Sequence, residues 1–221
     1  MDWKTLKKEI KFNHEYEKSL IPNEIDCTYG WMLKNNKDLV IMDIGAHVGS
    51  FAVYSGVYGY KKLYCYEPAP CNFELLKENT KDLKDIELIN SALSISETNT
   101  EIEFYLPTSG KNMGICSSYV KRGRHEISVN TINFKDELER IQPDIIKMDC
   151  EGAEYDLLLN TELPECVKRI TIEIHLGNKK FKTIQAPALI EKFKDWNIVG
   201  KEPVVDKDKG NWTTIAKYER F

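Results

Sequence analysis

Three carboxylates stand where the chain leaves apolar, strand-like runs, and a fourth lies within one. Asp43 follows Val40-Ile41-Met42, Glu67 follows Leu63-Tyr64-Cys65-Tyr66, and Asp149 follows Ile145-Ile146-Lys147-Met148. Glu173 lies inside Ile170-Thr171-Ile172-Glu173-Ile174-His175. An acid beside a buried strand is costly unless it has a partner. Repetition of this placement, with His175 added, points to one edge that handles polar or charged ligands. The convergence of Asp43, Glu67, Asp149 and the Glu173/His175 pair carries more weight than any one of them.

Asp43 opens the stretch Asp43-Ile44-Gly45-Ala46-His47-Val48-Gly49-Ser50-Phe51. This reads as a strand end, a small-residue turn and a helix start. Gly45 and Gly49 let the backbone approach a ligand, and the helix start offers free N–H groups. The spacing matches neither Gly-x-Gly-x-x-Gly nor a loop ending in Gly-Lys-Ser/Thr. An acid just before such a turn is poorly placed for a pyrophosphate. It is well placed for a cationic ligand such as the amino group of S-adenosylmethionine. The alternative is a tight turn whose glycines serve helix-on-sheet packing. Ala46, His47, Ser50 and Phe51 complete the candidate contacts of the turn, with His47 as a backbone contributor and not a base.

Glu67 stands 24 positions after Asp43. A carboxylate there can accept from both hydroxyls of a ribose in charge-assisted hydrogen bonds. Dinucleotide sites place an acid at a similar distance, so this feature does not separate the two cofactors; a helix cap or surface acid is the plainer reading. Pro68 and Pro70 rigidify the next turn, and Asn72 and Phe73 fall near the adenosine. Ser91 and Ala92, at the end of the third strand, would face an adenine, unless they are a simple strand exit. In Lys147-Met148-Asp149-Cys150-Glu151-Gly152-Ala153-Glu154, Asp149 and Glu151 suit a site that orients an acceptor hydroxyl or withdraws its proton. A strand exit with helix-capping acids is the alternative. His175 offers a general base, since its ordinary pKa lies near neutrality; a structural histidine explains it equally. The order of expectation for the catalytic role is Asp149, His175, Glu151. The spacing of Asp149, Glu151, Glu173 and His175 has no specificity for a metal, and none is expected.

The elements that must position these residues alternate. Strands are expected at 39–43, 62–66, 86–90, 144–149 and 169–175. Helices are expected at 49–59, 70–79, 154–159 and 185–196, with a short one at 136–141. Alternation of this kind predicts a parallel sheet with helices on both faces, whose strand ends share one edge. In such sheets ligands sit at that edge, where the strand order reverses. Residues 1–38 read as a helical lead-in and a cover for an acceptor site: one helix to about Leu20 and a second over 24–35. Residues 39–221 form the main domain. The middle carries a strand at 101–106, a Ser-, Gly- and Lys-rich loop at 107–123, and another short strand within 125–134. The loop is either a lid or a solvated surface loop. Segments 198–205 and 212–218 flank a polar turn, so the chain should close with a β-hairpin.

The 221 residues suit one domain with a sizeable core. Hydrophobic residues make up 42% and charged residues 30%, which is ordinary for a globular protein. A net charge of -4 supplies no basic footprint for nucleic acid. No apolar run reaches the length of a membrane span, and the first residues lack an apolar signal core. The expectation is a cytoplasmic protein whose six cysteines are free thiols.

Three stretches together resemble the FkbM-type methyltransferases: Asp-Ile-Gly-Ala-His-Val-Gly-Ser-Phe (43–51), Tyr-Glu-Pro-Ala-Pro-Cys-Asn-Phe (66–73) and Ile-Lys-Met-Asp-Cys-Glu-Gly-Ala-Glu (146–154). Ile-Glu-Ile-His (172–175) is similar to the family's fifth-strand segment. The resemblance runs from about Leu39 to His175, and the third stretch is its most specific part. It implies a Rossmann-like class I fold: a seven-stranded, mostly parallel sheet in the order 3-2-1-4-5-7-6, strand 7 antiparallel, with helices on both faces. It implies S-adenosyl-L-methionine as cofactor and O-methylation of a hydroxyl on a sugar, lipid or small metabolite. Asp43, Gly45 and Gly49 would then line the methionine end, Glu67 would hold the ribose, and Asp149 would lie near the transferred methyl. His47 stands where the family often has Asn. Two other readings stay open: a nicotinamide-dependent oxidoreductase on a similar sheet, and a binding module without catalysis. The acceptor and the oligomeric state are not legible.

Overall fold

The computed structural model describes residues 2–33, 37–107, 116, 124–177, 181–201, 203 and 213–220. Its centre is strand β1 (Val40–Ile44), which pairs in parallel with β2 (Lys62–Tyr66) on one side and β7 (Ile145–Met148) on the other. β3 (Ile86–Ile89) extends the sheet beyond β2, and β8 (Arg169–His175) extends it beyond β7. β10 (Thr213–Glu219) runs antiparallel to both β8 and β9 (Asn197–Ile198). The full order is β3-β2-β1-β7-β8-β10-β9. Counting only the strands of this sheet along the chain, that is 3-2-1-4-5-7-6 with strand 7 reversed, as expected. The closing hairpin is present as the β9/β10 pair; the polar turn at 206–211 lies outside the described residues.

Alternation along β1 builds two cores. Ile41 faces one side with Leu63, Cys65 and Ile145, and meets Met32, Phe51, Tyr54 and Leu76 there. Met42 and Ile44 face the other side with Ile146, Met148 and Ile172, against Phe134, Leu138, Tyr155 and Leu189. The first face carries α2 (Glu15–Leu33), α3 (Ser50–Tyr58) and α4 (Pro70–Thr80). The second carries α5 (Phe134–Ile141), α6 (Glu154–Asn160) and α7 (Ala186–Lys192). Asp43 follows Ile41 by two residues and Lys147 follows Ile145 by two, so strand alternation puts both on the first face.

The N-terminal region differs from its expected form. After the single turn α1 (Trp3–Leu6), one 19-residue helix, α2, replaces the two short helices. It runs through Pro22, although proline removes one backbone donor there. Docking explains its continuity. Ile25, Tyr29, Met32 and Leu33 are buried against the sheet. Trp31 Nε1 donates to Thr171 Oγ1 (3.1 Å), and Arg169 Nη1 donates to the Met32 carbonyl (2.8 Å) near the helix end. The latter satisfies a terminal carbonyl that the helix leaves unpaired and places a cation at its negative end.

The middle segment forms a second, three-stranded sheet in the order β4-β6-β5. β4 (Ala92–Ser94) pairs in parallel with β6 (Arg124–Asn133), which pairs antiparallel with β5 (Glu101–Pro107). β6 is ten residues long, more than the short strand expected. Of the loop expected at 107–123, only Pro107 and Cys116 are described, and Cys116 is buried.

Met32 is fully buried where α2 crosses the sheet. Met32→Ala is expected to cost about 2–5 kcal/mol in urea unfolding. A loss below about 1 kcal/mol would show that α2 is not packed on the sheet.

Candidate active site

The turn after β1 is shaped by close backbone contacts. Gly45 N and Ala46 N both donate to the Tyr66 carbonyl, at 3.0 and 2.9 Å. Gly45 adopts φ +76°, and a Cβ there would lie 1.8 Å from the Asp149 carbonyl oxygen. Only glycine fits this crossing between β1 and β7. His47 also has positive φ (51°), and its N–H donates to Glu67 Oε2 at 2.8 Å. Glu67 Oε1 accepts from Ala69 N at 2.9 Å and from Asn72 Nδ2 at 3.4 Å. The Glu67 carboxylate is thus held by the backbones of two turns. Burial pushes its pKa up to about 7, against these hydrogen bonds.

A cavity of about 380 Å³ opens over the strand tips. Gly45, Ala46 and His47 from the turn and Ser50 and Phe51 from the start of α3 form one wall. Glu67, Pro68 and Asn72 follow from the β2 tip and α4, and Ser91 and Ala92 from the β3 exit. Asp149 and Glu151 line it beyond β7. The structure therefore brings together twelve residues proposed from sequence, drawn from separate parts of the chain.

Four others are not on the cavity, among them Phe73, which packs against the core of the first face. Asp43 is fully buried beneath it and faces Lys147, whose Nζ lies 3.2 Å from Asp43 Oδ1. Lys147, its partner on the same face, lines the cavity in its place. Gly49 (φ +87°) caps α3, and a Cβ there would meet Leu76 Cδ1 at 2.7 Å, so it serves helix packing. His175 sits behind the rim: its Nδ1 is 3.2 Å from Glu154 Oε1 and its Nε2 3.5 Å from Glu151 Oε2. Burial opposes its charge, but the two glutamates outweigh burial and hold it well above the usual histidine range. A cationic imidazole has no lone pair with which to take a proton. Asp149, Glu151 and His175 bring one ligand-type atom each within 4.8 Å of one another. The imidazolium already supplies the positive charge in that group, and we read it as ion pairing.

Lys147 is the residue that sequence analysis undervalued. Its Nζ donates to the Gly45 carbonyl at 2.5 Å and lies 3.8 Å from Asp149 Oδ2, besides its pairing with Asp43. Burial alone would lower its pKa; Asp43 and Asp149 outweigh that and raise it. Burial raises the pKa of Asp43 despite the ammonium beside it. The His47 imidazole is driven down to about 4 by burial and is neutral at neutral pH. α2 also reaches the cavity, through Ile21, Ile25, Thr28 and Tyr29. Their three- and four-residue spacing was the available signal, since it forms one helical stripe. Ile102, Phe104 and Cys116 of the middle segment line the cavity too, and nothing in their local pattern marked them.

A mostly parallel sheet with this order, a reversed seventh strand and a cavity over the strand tips defines the Rossmann-like architecture of class I methyltransferases. Residues 43–198 match the family described as the methyltransferase FkbM domain. The chain belongs to the FkbM methyltransferase family. The methyltransferase FkbM of Methylobacillus flagellatus KT aligns at 13% identity and a TM-score of 0.49, over 98% of this chain and 57% of that one. The Pyrococcus horikoshii protein PH0793 aligns at 15% identity and a TM-score of 0.50, over 88% and 62%. TYW2 of M. jannaschii, solved in complex with AdoMet, aligns at 16% identity and a TM-score of 0.45, over 90% and 75%. The chain spans less than two thirds of the first and second of these. No curated protein matches it in sequence.

Lys147→Met leaves Asp43 buried without its counter-charge, and is expected to cost about 3–5 kcal/mol in chemical denaturation. Adding Asp43→Asn should recover part of the loss, with a coupling of at least about 1 kcal/mol in the double-mutant cycle. Additive effects would show that the two charges do not depend on each other.

Proposed function

We propose that this chain is an S-adenosylmethionine-dependent O-methyltransferase, acting on a hydroxyl of a sugar, lipid or small metabolite. One observation carries the reading: the glycine turn and the Glu67 carboxylate, from adjoining strand tips, line one cavity. The residues there suit an adenosyl amino acid. Glu67 keeps lone pairs free beyond its two backbone bonds and can accept from ribose hydroxyls. Ser91 and Ala92 lie where an adenine edge would sit. Ser50 Oγ is buried, lines the cavity and has no hydrogen-bond partner among the described residues. It stands in the first turn of α3, whose free N–H groups favour a carboxylate. Asp149 and the Gly45 turn fall toward the methionine end.

When bound, the cofactor supplies a methyl group already activated on a positively charged sulfur. The protein's task is then alignment and exclusion of water. Lys147 holds Asp149 and the Gly45 turn in fixed relation, and α2 closes the cavity from outside. Asp149 and Glu151 line the cavity at the tip of β7, where they can orient an acceptor oxygen. The pairing of His175 with Glu151 and Glu154 favours these carboxylates over the imidazole for that role. An oxidoreductase on the same sheet is the rival reading, and the absence of Gly-x-Gly-x-x-Gly argues against it. A net charge of -4 and the lack of a basic footprint argue against a nucleic-acid acceptor. No helix among the described residues is long and apolar enough to cross a membrane.

Titration calorimetry tests this directly. S-adenosylhomocysteine is expected to bind and NAD is not; binding of NAD alone overturns the reading. Glu67 must be ionised to accept from the ribose, and its free-protein pKa is about 7. The sign follows: a proton is shed on binding below that pH, so affinity rises from pH 6 to pH 8, by up to about tenfold. Glu67→Gln should bind more weakly and lose this dependence.

A further inference from the structure

The cavity extends past the part that suits the nucleoside. Over β8 and β10 it is lined by Glu173, Thr213 and Ile215, and α2 contributes Ile21, Ile25, Thr28 and Tyr29 to the same cavity. The Tyr29 ring lies 5.9 Å from Lys147 Nζ and packs edge-on to Phe51 at 5.4 Å, so this wall is continuous with the glycine turn. Glu173 is directly opposite Ile215 in the β8/β10 register. It is the one carboxylate on the cavity, among the described residues, that is held neither by a cation within ion-pair distance nor by backbone N–H groups. Glu67 is held by two turns, Asp149 faces Lys147 at 3.8 Å and Glu151 faces His175 at 3.5 Å. Among the described residues, Glu173 accepts from the Thr213 hydroxyl.

We propose that this half of the cavity is the acceptor subsite. It takes a small molecule with an apolar body and a single hydroxyl, such as a phenol, and Glu173 receives that hydroxyl's proton. The proposal rests on the methyl-transfer reading and narrows it. Ile21, Ile25 and Ile215 give this cavity an apolar wall, and of its acids Asp149 and Glu151 are already engaged by Lys147 and His175, so few hydrogen-bond partners are left for further hydroxyls. A sugar, with a hydroxyl on nearly every carbon, would leave several donors buried and unpaired against that wall, which is unfavourable. The volume of about 380 Å³ is shared with the cofactor, which leaves room for a small acceptor only. In the transfer, Glu173 takes the hydroxyl proton and the freed oxygen pair forms the new C–O bond. The electron pair of the broken C–S bond is left on sulfur, and Glu173 then releases its proton to solvent. The groups facing Glu173 are Lys147 and Asp149 from β7, Glu151 beyond it, His175 on its own strand and Thr213 on β10. Asp149 first, and burial second, push the Glu173 carboxyl up to about 8, so the fraction that is ionised near neutral pH is a stronger base than an ordinary carboxylate and the rate of transfer rises with pH.

The test uses the whole chain saturated with S-adenosylhomocysteine, with phenol and methyl glucoside as probes in saturation-transfer NMR. Phenol is expected to give a signal and methyl glucoside none. Glu173→Gln should weaken phenol at least fivefold, and Ile21→Trp should abolish its signal by filling the slot. Both variants should bind S-adenosylhomocysteine within twofold of the native chain, which also shows that they fold. In protein carrying 13C-labelled glutamate carboxyls, one resonance absent from Glu173→Gln should move when phenol is added. Failure of S-adenosylhomocysteine to bind the native chain would overturn the methyl-transfer reading itself. Binding of it together with any of three results overturns the acceptor proposal alone: no phenol signal, an equal glucoside signal, or phenol binding unchanged in both variants.

Discussion

A single buried ammonium ties the strand tips together. Lys147 reaches from β7 to Asp43 and to the Gly45 carbonyl on β1, and stands 3.8 Å from Asp149. A charge this deep is tolerated only because each partner is in turn needed to offset it. Asp43 and Lys147 are opposite one another in the β1/β7 register, so the pair forms wherever the sheet forms. The glycine turn is then held from two directions, by Lys147 at its carbonyl and by the Tyr66 carbonyl at its amides. The floor of the cavity inherits its rigidity from this arrangement.

From that floor the site divides by charge. On the β2 side the backbones of two turns hold the Glu67 carboxylate in place. On the β8 side the acids are crowded: Asp149, Glu151, Glu154 and Glu173 share the cations Lys147 and His175. Burial first, for Glu151, and the neighbouring Asp149 first, for Glu173, hold these two carboxyls above their usual pKa. α2 packs against Phe51 beside the glycine turn and lines the same cavity as Glu173 and Ile215. Its docking on Arg169 and Thr171 makes the N-terminal segment part of the site's architecture.

Much of this was legible in the chain as written. The strands over 39–43, 62–66, 144–149 and 169–175 were readable because each is a short apolar run closed by an acid or a turn. Gly45 and Glu67 were readable because their roles depend on local backbone geometry and on position at a strand end. α2 was not: its continuity through Pro22 depends on the burial of Met32 and Leu33 against a sheet formed much later in the chain. Ile102 and Phe104 were missed for the same kind of reason, since a strand facing a cavity has the pattern of a strand facing a core.

The sequence by itself determined the family, the order of the main sheet's strands, and which acids stand at strand ends, because periodicity and turn chemistry are local properties. Tertiary structure alone decided what each acid does. Asp43 turns inward to a lysine on the neighbouring strand, His175 is locked as a cation between two glutamates, and Glu173 is left facing the cavity. Those outcomes depend on which face of a strand meets which neighbour, and on how completely water is removed from the pair. Neither is set until the sheet closes.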